Sequence, residues 1–168
     1  GVCHDCRMGY QISCSSPHRA AYGWQRDGGM APYMLCDERD LVYLPDELTY
    51  CDGAQVACGF GTVYEAIEKV GVSGNDSVLV VGLGPVGLAT LMLCRALGAN
   101  QLIGVELSDE RIALARELGL VDQVFKPGPG TLEQIKAATG GRGVERAFDA
   151  SAADAGRQLA IRATRQWG

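Results

Sequence analysis

The chain has 168 residues, and its 20 acidic side chains outnumber 15 basic ones, so the net charge is −5 at pH 7. Its 47% hydrophobic and 21% charged residues are typical of a globular protein and exclude the disordered and fibrous classes. The acidic balance argues against a nucleic-acid partner, which normally requires a basic face. Six of the seven cysteines lie within the first 58 residues. Because an odd number does not suit a complete disulfide framework, we expect reduced thiols and a cytoplasmic protein.

An apolar stretch over residues 78–94 is the one place where a membrane span needs to be considered. It is short for a span, and Gly82, Gly84, Pro85 and Gly87 interrupt it. These breakers favour a strand, a turn and a helix instead, so we expect no membrane partner.

The chain changes character near residue 72. The sequence predicts short irregular segments over residues 1–71, which are rich in Gly, Cys and Tyr. Over residues 72–168 it predicts a regular alternation of strands and helices. The polar stretch Gly71–Asp76 connects the two parts. The sequence therefore predicts a domain boundary between residues 71 and 72.

The regular part predicts four strands that alternate with four helices. Pro85 suits a first helical turn, Ser108 suits an N-cap, and Thr131 with Gln134 forms a capping-box pattern. The predicted strands are Ser77–Val81, Gln101–Glu106, Gln123–Phe125 and Val144–Asp149. The predicted helices are Pro85–Leu97, Asp109–Leu118, Thr131–Thr139 and Asp154–Thr164. This alternation indicates an α/β fold with a parallel sheet and right-handed crossovers.

A glycine-rich turn follows the first strand, with the pattern G-x-G-x-x-G at residues 82–87. Gly82 permits a tight turn, Gly84 lets a diphosphate approach the backbone, and Gly87 lets the helix pack closely on the sheet. Pro85 and Val86 begin the helix, whose N-terminus attracts an anion. In this context the pattern predicts a dinucleotide-binding loop rather than a glycine-rich turn without a ligand.

An acidic residue ends the second strand, where a carboxylate binds the ribose hydroxyls of a dinucleotide. Glu106 lies 19 residues after Gly87. Its charge would repel a 2′-phosphate, which favours NAD over NADP. Arg111 could contact either the ribose or a phosphate, so it complicates this choice.

Cys3, Cys6 and Cys14 have the spacing C-x2-C-x7-C. Two thiolates three residues apart can hold one tetrahedral Zn²⁺ ion from a turn, although a structural site needs four ligands. A redox C-x2-C pair and an incidental cluster are the alternatives that the motif leaves open.

Together these motifs resemble the zinc-containing medium-chain alcohol and polyol dehydrogenases, the group that includes threonine dehydrogenase. Cys3, Cys6, Gly9 and Cys14 match the last three cysteines and the glycine of that family's zinc lobe. Arg111 matches a basic residue at the cofactor ribose. Further stretches resemble the family in order along the chain: Tyr22-Gly23, Gly28–Tyr33, Leu44–Asp46 and Cys58–Thr62. Met30 and Pro32 depart from the family's pattern, because its usual acidic residue is missing there.

The resemblance implies a partial Rossmann doubly wound parallel sheet, preceded by the tail of a GroES-like, β-rich catalytic domain. It implies Cys58 as a ligand of a catalytic zinc ion and Thr62 as a threonine beside the nicotinamide, so both are predicted catalytic residues. It implies NAD and Zn²⁺ as cofactors, a small alcohol as substrate and a homo-oligomeric parent protein. It also implies an internal fragment that is inactive alone, because the partners of Cys58 are not in this chain.

Two other functions are compatible with the sequence. The chain could be a non-catalytic module that binds a nucleotide or zinc. A methyltransferase also has a glycine-rich loop and an acidic second strand, but its loop usually follows an acidic residue, and the first strand here has none.

Overall fold

A computed structural model describes residues 1–168, and the chain divides into two compact units, Gly1–Pro45 and Asp46–Gly168. The first unit contains one short helix, α1 (His4–Arg7), and the 3₁₀ turns Gln11–Ser13 and Glu38–Asp40. It contains no strand, only an isolated bridge between Tyr22 and Arg26. The expected β-rich character of residues 1–71 is therefore not seen in this structure.

The lack of strands in the first unit agrees with its lack of a core. Cys6 is its one buried apolar side chain, while Met30, Tyr33 and Leu35 are exposed. Strands are stabilised by side chains that pack across a sheet and against a second layer, and this unit has no such layer.

The second unit begins with a helical segment that the sequence analysis did not predict. It consists of α2 (Tyr50–Gln55), a π-helical turn (Val56–Phe60) and α3 (Gly61–Val70). A capping box begins it, because Thr49 and Asp52 exchange side-chain to backbone hydrogen bonds. Val63 and Ile67 of α3 are buried in the core of this unit. The two compact units thus divide after Pro45, well before residue 71. The domain boundary that the sequence predicts between residues 71 and 72 stays a prediction.

A four-stranded parallel sheet forms the centre of the second unit, with the strand order β3-β2-β1-β4. This is the order expected for the first four strands of the resembled fold, and the predicted boundaries are correct to within two residues. The strands are β1 (Ser77–Val81), β2 (Gln101–Val105), β3 (Gln123–Phe125) and β4 (Arg146–Asp149). The helices are α4 (Pro85–Ala96), α5 (Asp109–Glu117), α6 (Thr131–Ala138) and α7 (Asp154–Ala163).

Both faces of the sheet are covered, because successive side chains of a strand point to opposite faces. Val78 and Val80 of β1 pack in one core cluster, with α3 and α4. Leu79 and Val81 pack in the other, with α6 and α7. None of the helices is long and apolar enough to cross a membrane.

The predicted helix caps agree with the structure except at α6. Pro85 occupies the first turn of α4, and Ser108 accepts a hydrogen bond from the Arg111 N–H group at 3.3 Å. At α6 the predicted capping box is wrong, because the N-cap is Gly130 with φ +87°. The Thr131 hydroxyl lies inside the helix and donates to the Lys126 and Gly128 carbonyl oxygens. A left-handed glycine cap leaves no place for a side-chain cap there.

The central strand makes the largest contribution to the core, so we expect Leu79→Ala to destabilise the protein. Leu79 is fully buried, and truncation of a buried leucine costs about 3 kcal/mol of unfolding free energy. Equilibrium urea unfolding measures the loss. The control is Ile161→Ala on α7, whose side chain is 70% exposed and whose loss should cost less than about 0.5 kcal/mol. Equal losses in the two variants would contradict this packing.

Candidate functional site

A cavity of about 300 Å³ lies at the carboxyl ends of the strands of the second unit. Its walls come from the glycine-rich turn after β1, the end of β2, the start of α5 and the loop between β4 and α7. The main lining residues are Gly82, Gly84, Glu106, Leu107, Arg111, Pro127, Ser151 and Gly156. Ligands of open α/β sheets bind at this edge, near the point where the strand order reverses.

The three positions of the turn require glycine for different structural reasons. Gly82 has φ +89°, and a Cβ atom there would lie 2.8 Å from the backbone of Ala150 and Ser151. A Cβ atom at Gly87 would collide with the Gly82 carbonyl oxygen. At Gly84, φ is −74° and the nearest atom to a Cβ would be Nη1 of Arg111 at 3.8 Å. Gly82 and Gly87 are thus required by the protein's own packing, whereas Gly84 leaves open space on the cavity side.

The N-terminus of α4 points its first turn toward this space. Gly84 is the N-cap, and no side chain caps the helix. The first backbone N–H groups of the helix, those of Val86 and Gly87, therefore lack a side-chain acceptor, since Pro85 has no N–H group. An uncapped helix N-terminus beside a glycine turn is suited to an anion such as a diphosphate.

Glu106 joins the glycine turn to the end of β2. Its carboxylate oxygen Oε2 accepts the Leu83 N–H at 2.7 Å, and Oε1 accepts the N–H groups of Leu107 at 2.7 Å and Ser108 at 3.0 Å. Nη1 of Arg111 lies 3.7 Å from Oε2. The carboxylate is 93% buried by these contacts, since its exposed fraction is 7%.

Two opposing effects act on the Glu106 carboxyl. Burial raises its pKa, but the N–H groups of Ser108, Leu83 and Leu107 and the charge of Arg111 lower it, and the net pKa is below the ordinary value of 4.5. Glu106 is therefore an anion at neutral pH. It can accept hydrogen bonds from ribose hydroxyls with the lone pairs that the backbone leaves unused.

The loop between β4 and α7 forms the opposite wall of the cavity. Asp149 Oδ1 accepts the Ser151 N–H at 3.0 Å and the Ser151 hydroxyl at 2.6 Å, and Ser151 Oγ accepts the Ala153 N–H at 3.2 Å. A Cβ atom at Gly156 would collide with Ser151 Oγ. Leu107, Pro127 and Gly156 were not predicted as lining residues, because no sequence motif marks them.

The first unit brings its three predicted zinc ligands together. The Sγ atoms of Cys3, Cys6 and Cys14 lie within 4.8 Å of one another, and those of Cys3 and Cys6 are 3.4 Å apart. The N–H groups of Cys6 and Ser15 and the Cys6 thiol lower the pKa of Cys3 to about 6, whereas the thiols of Cys3 and Cys14 raise the pKa of Cys6. Three converging sulfur atoms with one favoured thiolate suit a soft metal ion such as Zn²⁺.

The structure does not bring a metal site together around Cys58. Cys58 is exposed on the π-helical turn, and Thr62 follows one turn later in α3, also exposed. Neither residue lines the cavity at the strand ends, and the Cys3, Cys6 and Cys14 cluster is the one group of three metal-binding side chains in the chain.

A second, larger depression of about 1000 Å³ lies in the first unit. Residues 23–35 of a single loop line it, and the largest of them, Trp24, Met30 and Tyr33, are mostly exposed. We place the candidate site at the sheet edge instead, because a glycine turn, a helix N-terminus and a buried carboxylate meet there.

The order of the strands, the glycine turn and the acid after β2 are features of the α/β folds that bind dinucleotides. The model of the zinc-binding dehydrogenase family matches residues 85–168, which is half of the chain. The chain therefore belongs to the zinc-binding dehydrogenase family, as its sequence predicted.

Similar proteins include the zinc-type alcohol dehydrogenase-like protein YphC of Escherichia coli (strain K12). It is 49% identical over 168 residues, which are 100% of this chain and 48% of that protein. The (R,R)-butanediol dehydrogenase of Bacillus subtilis (strain 168) is 35% identical over 137 residues, with 82% of this chain and 39% of that protein aligned. The chain spans about half the length of the curated relatives it matches.

Two solved structures have closely similar folds. An NAD-dependent alcohol dehydrogenase superposes with a TM-score of 0.87 and 27% identity, over 98% of this chain and 48% of that one. An acetophenone reductase from Geotrichum candidum NBRC 4597, in complex with NAD, has a TM-score of 0.86 and 25% identity, over 98% and 46% of the two chains. None of these relatives is a methyltransferase, so that alternative has no support.

The hydrogen bonds of Glu106 predict a pH-dependent loss of stability in Glu106→Gln. The folded pKa is lowered, so the stabilisation is present above pH 4.5 and is lost as the pH falls through the folded pKa. Without nucleotide, the variant should be about 2 kcal/mol less stable than the native chain at pH 7, and the difference should shrink toward pH 3.

Urea unfolding at several pH values measures this difference. Glu65→Gln is the control, because Glu65 forms an exposed i,i+4 pair with Lys69 on α3, and such a pair contributes at most about 0.5 kcal/mol. If Glu106→Gln lost the same free energy of unfolding at pH 7 and at pH 3, the role of the charged carboxylate would be contradicted.

Proposed function

We propose that the whole protein is an NAD-dependent, zinc-dependent oxidoreductase that acts on the CH–OH group of an alcohol, a polyol or a hydroxy-amino acid by hydride transfer. The chain would supply its nucleotide site and part of its zinc-binding machinery. The observation that supports this most directly is the cavity in which the open side of Gly84, the uncapped α4 N-terminus and the Glu106 carboxylate converge.

The chain's residues fit a dinucleotide in a specific way. The space that a Cβ atom would fill at Gly84 suits the diphosphate, with Gly82, Gly87, Pro85 and Val86 shaping the turn and the helix start. On the β2 side of the cavity, Glu106 would accept hydrogen bonds from the ribose hydroxyls. Arg111 would lie beside the same ribose. The carboxylate would repel a 2′-phosphate, so NAD is the proposed cofactor rather than NADP.

The thiol cluster fits three of the four ligands of a structural zinc ion, and Cys3, Cys6 and Cys14 would hold it. In the whole protein, the bound nicotinamide would take the hydride and a catalytic zinc ion would polarise the substrate oxygen. Cys58 is the proposed ligand of that catalytic ion and Thr62 the proposed neighbour of the nicotinamide. In this chain Cys58 belongs to no group of three possible metal-binding side chains.

The names of the relatives support a hydroxyl-bearing substrate. They include a D-arabitol-phosphate dehydrogenase from Enterococcus avium, a human sorbitol dehydrogenase and the butanediol dehydrogenase. We propose a small alcohol or polyol as substrate and a homo-oligomeric whole protein. A panel of secondary alcohols and diols offered to the whole protein with NAD would test the substrate class by the rate of NADH formation.

One observation favours a second function for the chain on its own, a module that binds nucleotide and zinc without catalysis. Cys58 is exposed and belongs to no group of three possible metal-binding side chains in the chain. Saturable binding without turnover would distinguish this module from an active fragment.

We expect the chain to bind NADH, and Gly84→Ala to weaken that binding without loss of stability. The added methyl group would meet nothing of the protein closer than 3.8 Å, but it would occupy the space proposed for the diphosphate. Titration with NADH, followed by its fluorescence, should show a Kd at least about tenfold higher in the variant, a loss of about 1.4 kcal/mol of binding free energy.

The matched control is Gly74→Ala, which adds the same methyl group in an ordinary contact 3.5 Å from the Gly98 carbonyl oxygen, outside the cavity. Its Kd for NADH should equal that of the native chain. Unchanged binding in Gly84→Ala, or no NADH binding by the native chain, would refute the proposed nucleotide site.

For the thiol cluster we expect Co²⁺, used as a substitute for Zn²⁺, to give sulfur-to-metal charge-transfer absorption in the near ultraviolet. Cys6→Ser should reduce its intensity by about one third or abolish it, because one of three thiolates is removed. Cys51→Ser, at an exposed cysteine outside the cluster, should leave it unchanged. The same loss in both variants would exclude the cluster as the metal site.

A further inference from the structure

A second charged pair lies next to residues that line the cavity, on the side of Glu106. Val105 pairs with Phe125 in the parallel register of β2 and β3, and the Glu106 N–H donates to the Phe125 carbonyl oxygen at 3.1 Å. Lys126 therefore follows β3 as Glu106 follows β2, with the two backbones about 4.8 Å apart. The next residue, Pro127, lines the cavity together with Glu106 and Arg111.

Lys126 is held by Asp109, the first residue of α5. Its Nζ atom lies 2.7 Å from Oδ1 and 2.8 Å from Oδ2 of that carboxylate. Both side chains are more than half exposed. The edge thus carries two cations, Arg111 and Lys126, and each has its own carboxylate.

The two pairs differ in how firmly their carboxylates are fixed. Glu106 is buried and bound by three N–H groups, so it cannot leave Arg111 without breaking the connection to the glycine turn. Asp109 projects from the first turn of a helix into solvent, and its Oδ atoms are within hydrogen-bond distance of Lys126. Lys126 is therefore the cation that a single substitution can release.

We propose that the Asp109–Lys126 pair is a second determinant of cofactor choice, in addition to Glu106. This inference rests on the proposed nucleotide-binding function. A 2′-phosphate carries a charge of about −1.5 to −2 at neutral pH, so a lysine at this edge would attract NADP(H). Asp109 neutralises that lysine and also repels the phosphate, which keeps the site selective for the nucleotide with free ribose hydroxyls.

The test is Asp109→Asn in the 168-residue chain, with Kd values for NADH and NADPH measured by fluorescence titration at low ionic strength. Release of Lys126 should lower the Kd for NADPH by about threefold to fivefold, the range expected for one exposed charge interaction. The Kd for NADH should not change. The gain should decrease at 0.5 M salt, because exposed charges are screened.

Two further variants distinguish the pair from a general effect of charge. Asp109→Asn combined with Lys126→Gln should lose the gain for NADPH, because the released cation is gone. Glu65→Gln removes one exposed carboxylate on α3, outside the cavity, and should leave both Kd values unchanged.

The outcomes separate this inference from the proposed function. If the native chain binds NADH and Asp109→Asn leaves the NADPH-to-NADH ratio of Kd values unchanged, the ion-pair inference is overturned and the nucleotide site stands. A gain that persists without Lys126, or that appears equally in Glu65→Gln, overturns it as well. If the native chain binds neither nucleotide, the proposed function itself fails.

Discussion

The candidate site depends on the hydrogen bonds that the Glu106 carboxylate accepts. The carboxylate accepts hydrogen bonds from the N–H groups of Leu83, Leu107 and Ser108. It therefore connects the loop after β1 to the segment after β2. Those loops carry the glycines and the charged side chains of the cavity. A buried carboxylate is costly unless hydrogen bonds satisfy it, and here the same hydrogen bonds that satisfy it also fix the shape of the cavity.

The glycine turn shows how one motif combines two requirements. Gly82 and Gly87 are fixed by the protein itself, since a Cβ atom would collide with the β4–α7 loop or with the turn. Gly84 is not, because the protein leaves that space open. Packing therefore requires glycine at two of these positions, and only the third, Gly84, would serve the proposed nucleotide. Such a division is useful experimentally, because a variant at Gly84 separates binding from folding.

The two units are stabilised in different ways. The second has a sheet covered on both faces by two apolar clusters, which is the usual source of domain stability. The first buries only one apolar side chain, Cys6, and that residue belongs to the thiol cluster. Small units without a sufficient core commonly depend on metals or disulfides, so a metal ion at these thiols would do the structural work that a core does elsewhere.

The sequence predicted what is encoded locally. The strand and helix order from residue 77, the glycine turn, the acid after β2 and the thiol spacing follow from periodicity and from neighbouring residues. Residues 50–70 were not predicted as helical, because Gly53, Gly59 and Gly61 weaken the pattern, although the Thr49–Asp52 capping box was a readable signal. At α6 the capping-box pattern was misleading, since Gly130 adopts the left-handed conformation that ends the loop.

The tertiary structure alone decided which of these groups meet. Lys126 reaches Asp109 across 17 residues, and Leu83 reaches Glu106 across 23, because parallel strands bring their carboxyl ends to one edge of the sheet. It also decided that Gly84 faces open space and that Cys58 joins no group of three possible metal ligands. The length, charge and motifs of the sequence therefore determined the class of fold and the kind of site. Contacts through space determined the site's shape and its charge balance, since these depend on distances that no local pattern specifies.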